Sequence, residues 1–291
     1  MSIDLLHDKI RKLKNPSVID FGTKWNCLPR HLLDEEGSLV KAYGRFCREL
    51  MSALKETVPA VRFPFGAFAL LGAEGIELLR SLLAEAKALD YYVLLDSPEI
   101  LSPWAADRTA DSIFMSDTFP CDGLIVTSFI GSDGIKPFLP YCKDGSKALF
   151  VVVRSPNKSA SELQDLLSGT RQVHVAASEM ANRMGETILG RCGYSRVGVA
   201  ASAGSADSLR NLRIKHNRLF LLVDGLDYPS GNAKNCSLAF DKFGYGAAVC
   251  AGPSVTAAWQ TAESDGQDYI AQAQQAAERM RKNITRYITI L

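Results

Sequence analysis

The chain of 291 residues is 47% hydrophobic and sets 33 basic against 32 acidic side chains, a formal net charge of +1. That balance offers no basic field for nucleic acid or an anionic membrane, and the apolar fraction is too high for a disordered chain. The longest apolar runs, such as Ala148–Val153, are strand-length, against the ~20 residues of a membrane helix.

The opening residues, Met1 to His7, hold neither a basic n-region nor an apolar h-region, so no leader is expected. From there, short β-branched and apolar runs alternate with helical stretches, the pattern of parallel strands joined by crossover helices. Eight strands are predicted: Ser17–Phe21, Ala60–Pro64, Tyr91–Asp96, Gly123–Thr127, Ala148–Arg154, Arg196–Ser202, Leu219–Asp224 and Ala247–Ala251. Apolar residues at i, i+3, i+4 spacing predict helices within Leu39–Thr57, Gly75–Leu89 and Leu209–Lys215, with Gln267–Ile288 closing the chain. The long connection from Ser155 to Ser195 is expected to hold two more helices, around Ser161–Leu167 and Val173–Gly190. No Gly-x-Gly-x-x-Gly follows the first strand, which argues against a doubly wound sheet. The expectation is an α/β chain folded as a single (β/α)8 TIM barrel, one domain over residues 1–291. Seven scattered cysteines without a C-x-x-C predict buried thiols in a reducing, cytoplasmic setting, and the four histidines show no metal-ligand spacing. No cofactor or metal is expected.

The middle of the chain carries a resemblance. Cys121-Asp-Gly-Leu-Ile-Val-Thr-Ser-Phe-Ile-Gly131, then Ser132-Asp-Gly-Ile-Lys-Pro-Phe-Leu139, resembles the fourth strand and following loop of orotidine 5′-phosphate decarboxylases of the longer bacterial type. Ala148–Asn157 with Ser161–Leu166 is similar to the fifth strand and its helix in that family. Asn15–Ile19, Val58–Arg62, Val197-Gly198 with Leu209–Arg213, and Gly244–Val249 match further strands in order, over about residues 3–260.

That resemblance implies a cofactor-independent carboxy-lyase that turns orotidine 5′-phosphate into UMP and CO2, the last step of pyrimidine synthesis. It also implies a dimer in which each site borrows an aspartate from its partner. The strand ends, where barrel enzymes place their chemistry, depart from the family pattern. The third strand should end in Asp-x-Lys-x-x-Asp. Here Asp96 is kept as a relic, while Pro98 stands for the lysine and Leu101 for the second aspartate. Arg62 stands at another lysine position and Gly22 at an aspartate position, and Ser155 or Pro156 falls where a serine reads the pyrimidine. Gly252-Pro253 replaces a Ser-Arg pair whose arginine grips the phosphate, although Gly225, Gly252 and Ser254 still offer weak donors to an anion. Asp224 and Asp227 add negative charge beside that place.

No lysine occurs between Lys87 and Lys136, so no one-residue slip restores the missing ammonium. Arg108, the one cation there, is too basic to act as a general acid near neutrality. Two readings therefore stand. One is a decarboxylase running poorly on displaced residues. The other is a non-catalytic relative, binding a nucleotide or phosphorylated small molecule or pairing with an active paralogue. A different activity on the same barrel remains a third. Arg62 can pair with Asp96 across neighbouring strands. Glu99, Asp107 and Arg108 read as a solvated loop, Lys24 as a loop lysine above the first strand, and Trp104 either fills the emptied pocket or meets a partner subunit.

Overall fold

The computed structural model describes residues 2–97, 99–116 and 118–291. Eight parallel strands close a barrel in chain order. They are β1 (Ser17–Asp20), β2 (Ala60–Pro64), β3 (Tyr92–Asp96), β4 (Gly123–Thr127), β5 (Ala148–Val152), β6 (Val197–Ser202), β7 (Leu221–Asp224) and β8 (Ala247–Ala251). Three match the sequence-based spans residue for residue, and the rest differ by one or two residues at an end. Closure comes from β1 pairing with β8, Val18 opposite Cys250 and Ile19 opposite Ala251.

Side chains alternate across each strand, so every second residue faces the barrel axis. Val18, Ala60, Leu94, Phe150, Leu222 and Ala248 belong to the interior cluster, while Ile19, Val61, Leu95, Val151 and Val223 pack under the helices. The Phe150 and Phe220 rings meet edge to face inside, 6.1 Å apart. Gly198 on the strand between makes room for them: a Cβ there would lie 3.0 Å from the Phe150 ring and 2.5 Å from the Phe220 carbonyl.

A helix that the sequence reading did not anticipate, α1 (Ser2–Leu13), stoppers the barrel floor. Its Ile3, Leu6 and Ile10 are buried in the interior cluster. The Ser2 hydroxyl donates to the Asp122 carbonyl (2.7 Å) and lies 2.9 Å from the Tyr92 hydroxyl. Asp122 in turn accepts from the Val93 N–H (2.8 Å) and from Lys87 (2.5 Å), tying the starts of β3 and β4 together. The outer layer follows expectation, with helices Leu39–Leu54, Gly72–Ala88, Val173–Gly185, Ala206–Lys215 and Tyr269–Thr285.

Two expectations are corrected. The stretch 161–167 is not an α-helix: a 3₁₀ turn spans Lys158–Glu162, and a small hairpin pairs Leu167 with Gln172. Gly169, at φ +65°, turns that hairpin, a conformation glycine adopts without cost. Asp107 and Arg108 do not lie in a loop but on the helix Pro103–Thr109, which begins with Ser102 as N-cap and continues as a π-helix, Ala110–Met115. Among the described residues, no helix is long and apolar enough to cross a membrane.

Candidate functional site

Inward-facing positions recur every second residue, so the residue two beyond each interior apolar side chain points into the mouth. Beyond Val18 stands Asp20, beyond Ala60 Arg62, beyond Leu94 Asp96, and beyond Leu222 Asp224. Register brings them together: Asp20 lies opposite Arg62, Asp96 opposite Pro64, and Asp224 opposite Ser202.

Arg62 is the hub. Its Nε lies 3.0 Å from Asp96 Oδ2, and its Nη2 donates to the same oxygen. Nη1 donates to Asp224 Oδ2 at 2.9 Å, and Asp20 Oδ2 is 3.5 Å from Nε. The guanidinium is 12% exposed, Asp96 8% and Asp20 22%, so Asp20 is the more accessible of these two acids. Three carboxylates thus share one cation. Burial pushes the Asp20 carboxyl up to about 6, because Arg62 only partly offsets desolvation and Asp224 and Asp96 add repulsion. Burial likewise raises Asp96, again against the pull of Arg62. Burial alone would lower Arg62, but the three aspartates reverse that and hold it well above its ordinary value.

Beside this cluster a cleft of about 560 Å³ opens between the ends of β1, β7 and β8. Asp20, Asp224 and Asp227 line it with Tyr228 and Cys250, and Lys24 is the one lysine among its lining residues. The Cys250 thiol is pushed well above its usual range by burial, so it is no ready nucleophile.

No family profile matches the chain. Orotidine 5′-phosphate decarboxylase from Clostridium novyi (strain NT) is 24% identical over 285 residues, 98% of each protein. That of Rhodopirellula baltica is 28% identical over 232 residues, 76% of this chain and 77% of the other. The solved structure of Leishmania donovani OMP decarboxylase aligns with a TM-score of 0.76 at 23% identity, covering 99% of this chain and 98% of that one. The resemblance to orotidine 5′-phosphate decarboxylases runs the length of the chain. Structural likeness at this identity speaks for the fold, and the sequence matches extend it to relatives bearing that name.

Of the residues singled out from sequence by that resemblance, Arg62 and Asp96 come together as an ion pair. Gly225 and Gly252 flank the cleft, but their amides are occupied. Gly225 N–H donates to Asp224 Oδ1 (2.8 Å), and Gly252 N–H to Asp227 Oδ2 (2.6 Å). Gly225 also has φ +82°, and a Cβ there would lie 2.2 Å from Pro156 of the loop after β5. Ser254 lines a different groove, of about 460 Å³, with Arg279 and Asn283. Ser155 is turned into its own loop: its N–H donates to Gln164 Oε1 (2.8 Å) and its hydroxyl to Asn157 Oδ1 (2.6 Å).

Pro98 lies outside the described residues. Leu101 is 60% exposed. Trp104 does not fill the pocket: it is 70% exposed, with the Arg108 guanidinium 6.0 Å from its ring. His174 is held by the Gln164 carbonyl (3.0 Å) and Asp165 (3.2 Å), and Asp165 also pairs with Arg154 (2.7 Å), a network that fastens the loop after β5. Among the described residues no group of three His, Cys, Asp or Glu side chains is arranged to hold a metal ion. The residue that sequence reasoning missed is Asp20. Matching to the family drew attention to Gly22, whereas strand parity, counting in twos from Val18, leads to Asp20.

Proposed function

We propose that this chain is a relative of orotidine 5′-phosphate decarboxylase that has given up that reaction and holds a small ligand at the barrel mouth. The observation that carries the reading is the cation at the hub. Decarboxylating orotidine 5′-phosphate leaves electron density on a ring carbon, and without a cofactor a positioned ammonium must stabilise and protonate it. Arg62 is a planar guanidinium held by three carboxylates that raise its pKa further, so it gives up no proton near neutral pH. Lys24 sits on the exposed loop after β1, and among the described residues no ion pair fixes its ammonium. The mouth nevertheless stays open and charged, with Trp104 outside it. An open cleft with converging polar groups favours a ligand site over a bare scaffold.

The chain acts in the cytoplasm and pairs with a second barrel, a copy of itself or an active paralogue. Leu101, Trp104 and Met115 leave exposed apolar side chains for such a contact. The test is turnover of orotidine 5′-phosphate by the purified chain beside an Asp96→Ala control that reports contaminating host enzyme. Equal, background rates are expected. Turnover that disappears in the control would mean that the catalytic centre has been rebuilt, and would end this reading.

A further inference from the structure

We infer that Asp227 sets this cleft against phosphate, its carboxylate taking the backbone donor on which the anionic end of a phosphorylated ligand would rest. The inference deepens the reading of the mouth as a ligand site and rests on it. Barrels commonly seat phosphate between the loops after their seventh and eighth strands, on backbone N–H groups. Here the glycine amides that directly follow those two strands end on side chains of the protein itself, Gly225 on Asp224 and Gly252 on Asp227. The next residue, Pro253, has no N–H to add.

Asp227 is not held there by its one bond alone. Its loop is folded by two consecutive tight turns, Tyr228 N–H to the Gly225 carbonyl (3.1 Å) and Gly231 N–H to the Tyr228 carbonyl (2.8 Å). Gly231 permits that compactness, since a Cβ there would lie 2.2 Å from the Gly225 carbonyl oxygen. The carboxylate is therefore presented to Gly252 by the backbone course, as a substitute for the anion. A phosphate entering the cleft would have to displace it and would meet Asp20 and Asp224 on the same wall, with Lys24 as the one lysine facing it. A neutral end that donates hydrogen bonds, such as a hydroxyl, meets no such barrier and finds carboxylate oxygens to accept from it.

The experiment measures equilibrium binding of inorganic phosphate, UMP and uridine to the full chain and to Asp227→Asn and Asp227→Gly, by calorimetry and phosphorus NMR. Asp227→Asn keeps a side-chain oxygen for Gly252 and so guards against a variant that fails to fold. The native chain is expected to bind UMP no more tightly than uridine and to ignore phosphate. Asp227→Gly should gain at least about tenfold for phosphate, and for UMP relative to uridine, with Asp227→Asn between. A native chain that already prefers UMP to uridine about tenfold would overturn the proposal. So would a folded glycine variant whose phosphate binding matches the native chain, whether or not either nucleoside form binds. Turnover is read with orotidine 5′-phosphate and the anion seat with phosphate alone, so the two readings fail separately.

Discussion

At the floor of the barrel, Ser2, Tyr92 and Asp122 are joined by short hydrogen bonds beside Ile3, Leu6 and Ile10, and Lys87 balances the buried Asp122 carboxylate. At the mouth, the same strands end in Asp20, Asp96 and Asp224 around Arg62, three negative charges to one positive. In this floor group the carboxylate has its own cation, and among the described residues no second acid shares it. The mouth holds like charges together in a low-dielectric setting, which costs stability and persists where a site needs it.

The largest effect should come from removing the hub. Arg62→Met leaves three carboxylates without a cation and should cost about 3–5 kcal/mol at pH 7.5 in urea unfolding. Part of that loss should return at pH 5, where Asp20 takes up a proton. Leu6→Ala at the floor should cost about 2–4 kcal/mol, equally at both pH values. A pH-dependent loss there, or a pH-independent one at Arg62, would erase the contrast between the two ends.

A smaller effect sharpens the comparison from the opposite side. In the fold Asp20 keeps its proton to about pH 6, against an ordinary aspartate value of 3.8. Between those values the folded chain binds more protons than the unfolded one, so Asp20 makes stability fall as pH rises from about 4 through 6. Asp20→Asn removes that fall and should be more stable than the native chain at pH 7.5, by on the order of 2 kcal/mol allowing for partial exposure. Thermal melts across this window decide it, and a destabilised variant would mean that Asp20 is held favourably as the anion. Smallest of all, Trp104→Ser should change monomer stability by less than about 0.5 kcal/mol, since the ring is largely in solvent. If the exposed ring meets a second barrel, sedimentation will show weaker association in that variant.

The barrel was legible because its strands are short runs of Val, Ile, Leu and Ala bounded by turn residues, a signal that local sequence carries by itself. α1 is less legible, although Ile3, Leu6 and Ile10 fall at helical spacing, because those three apolar residues among charged ones make a short and weak periodic signal. The hairpin at Gly169 and the helix capped by Ser102 depend on turn and cap chemistry that apolar periodicity does not register. Arg62 and Asp96 were visible as strand-end charges. That one arginine serves three aspartates was not, because Asp20, Asp96 and Asp224 are distant in sequence and only the closed register makes them neighbours. Nor does any pattern announce that Asp227 would fold back onto Gly252, 25 residues further on.

The bond between β1 and β8 also has a bearing on how the chain is made. Residues 17–19 take one of their two neighbours from residues 249–251, so a nascent chain emerging from the ribosome carries an open strand edge until those later residues have been translated. At ordinary synthesis rates that interval lasts roughly ten to fifty seconds, long enough for an unpaired apolar strand to find the wrong partner. Yield in a cell should therefore depend on chaperone supply during translation more than the finished barrel's stability would suggest.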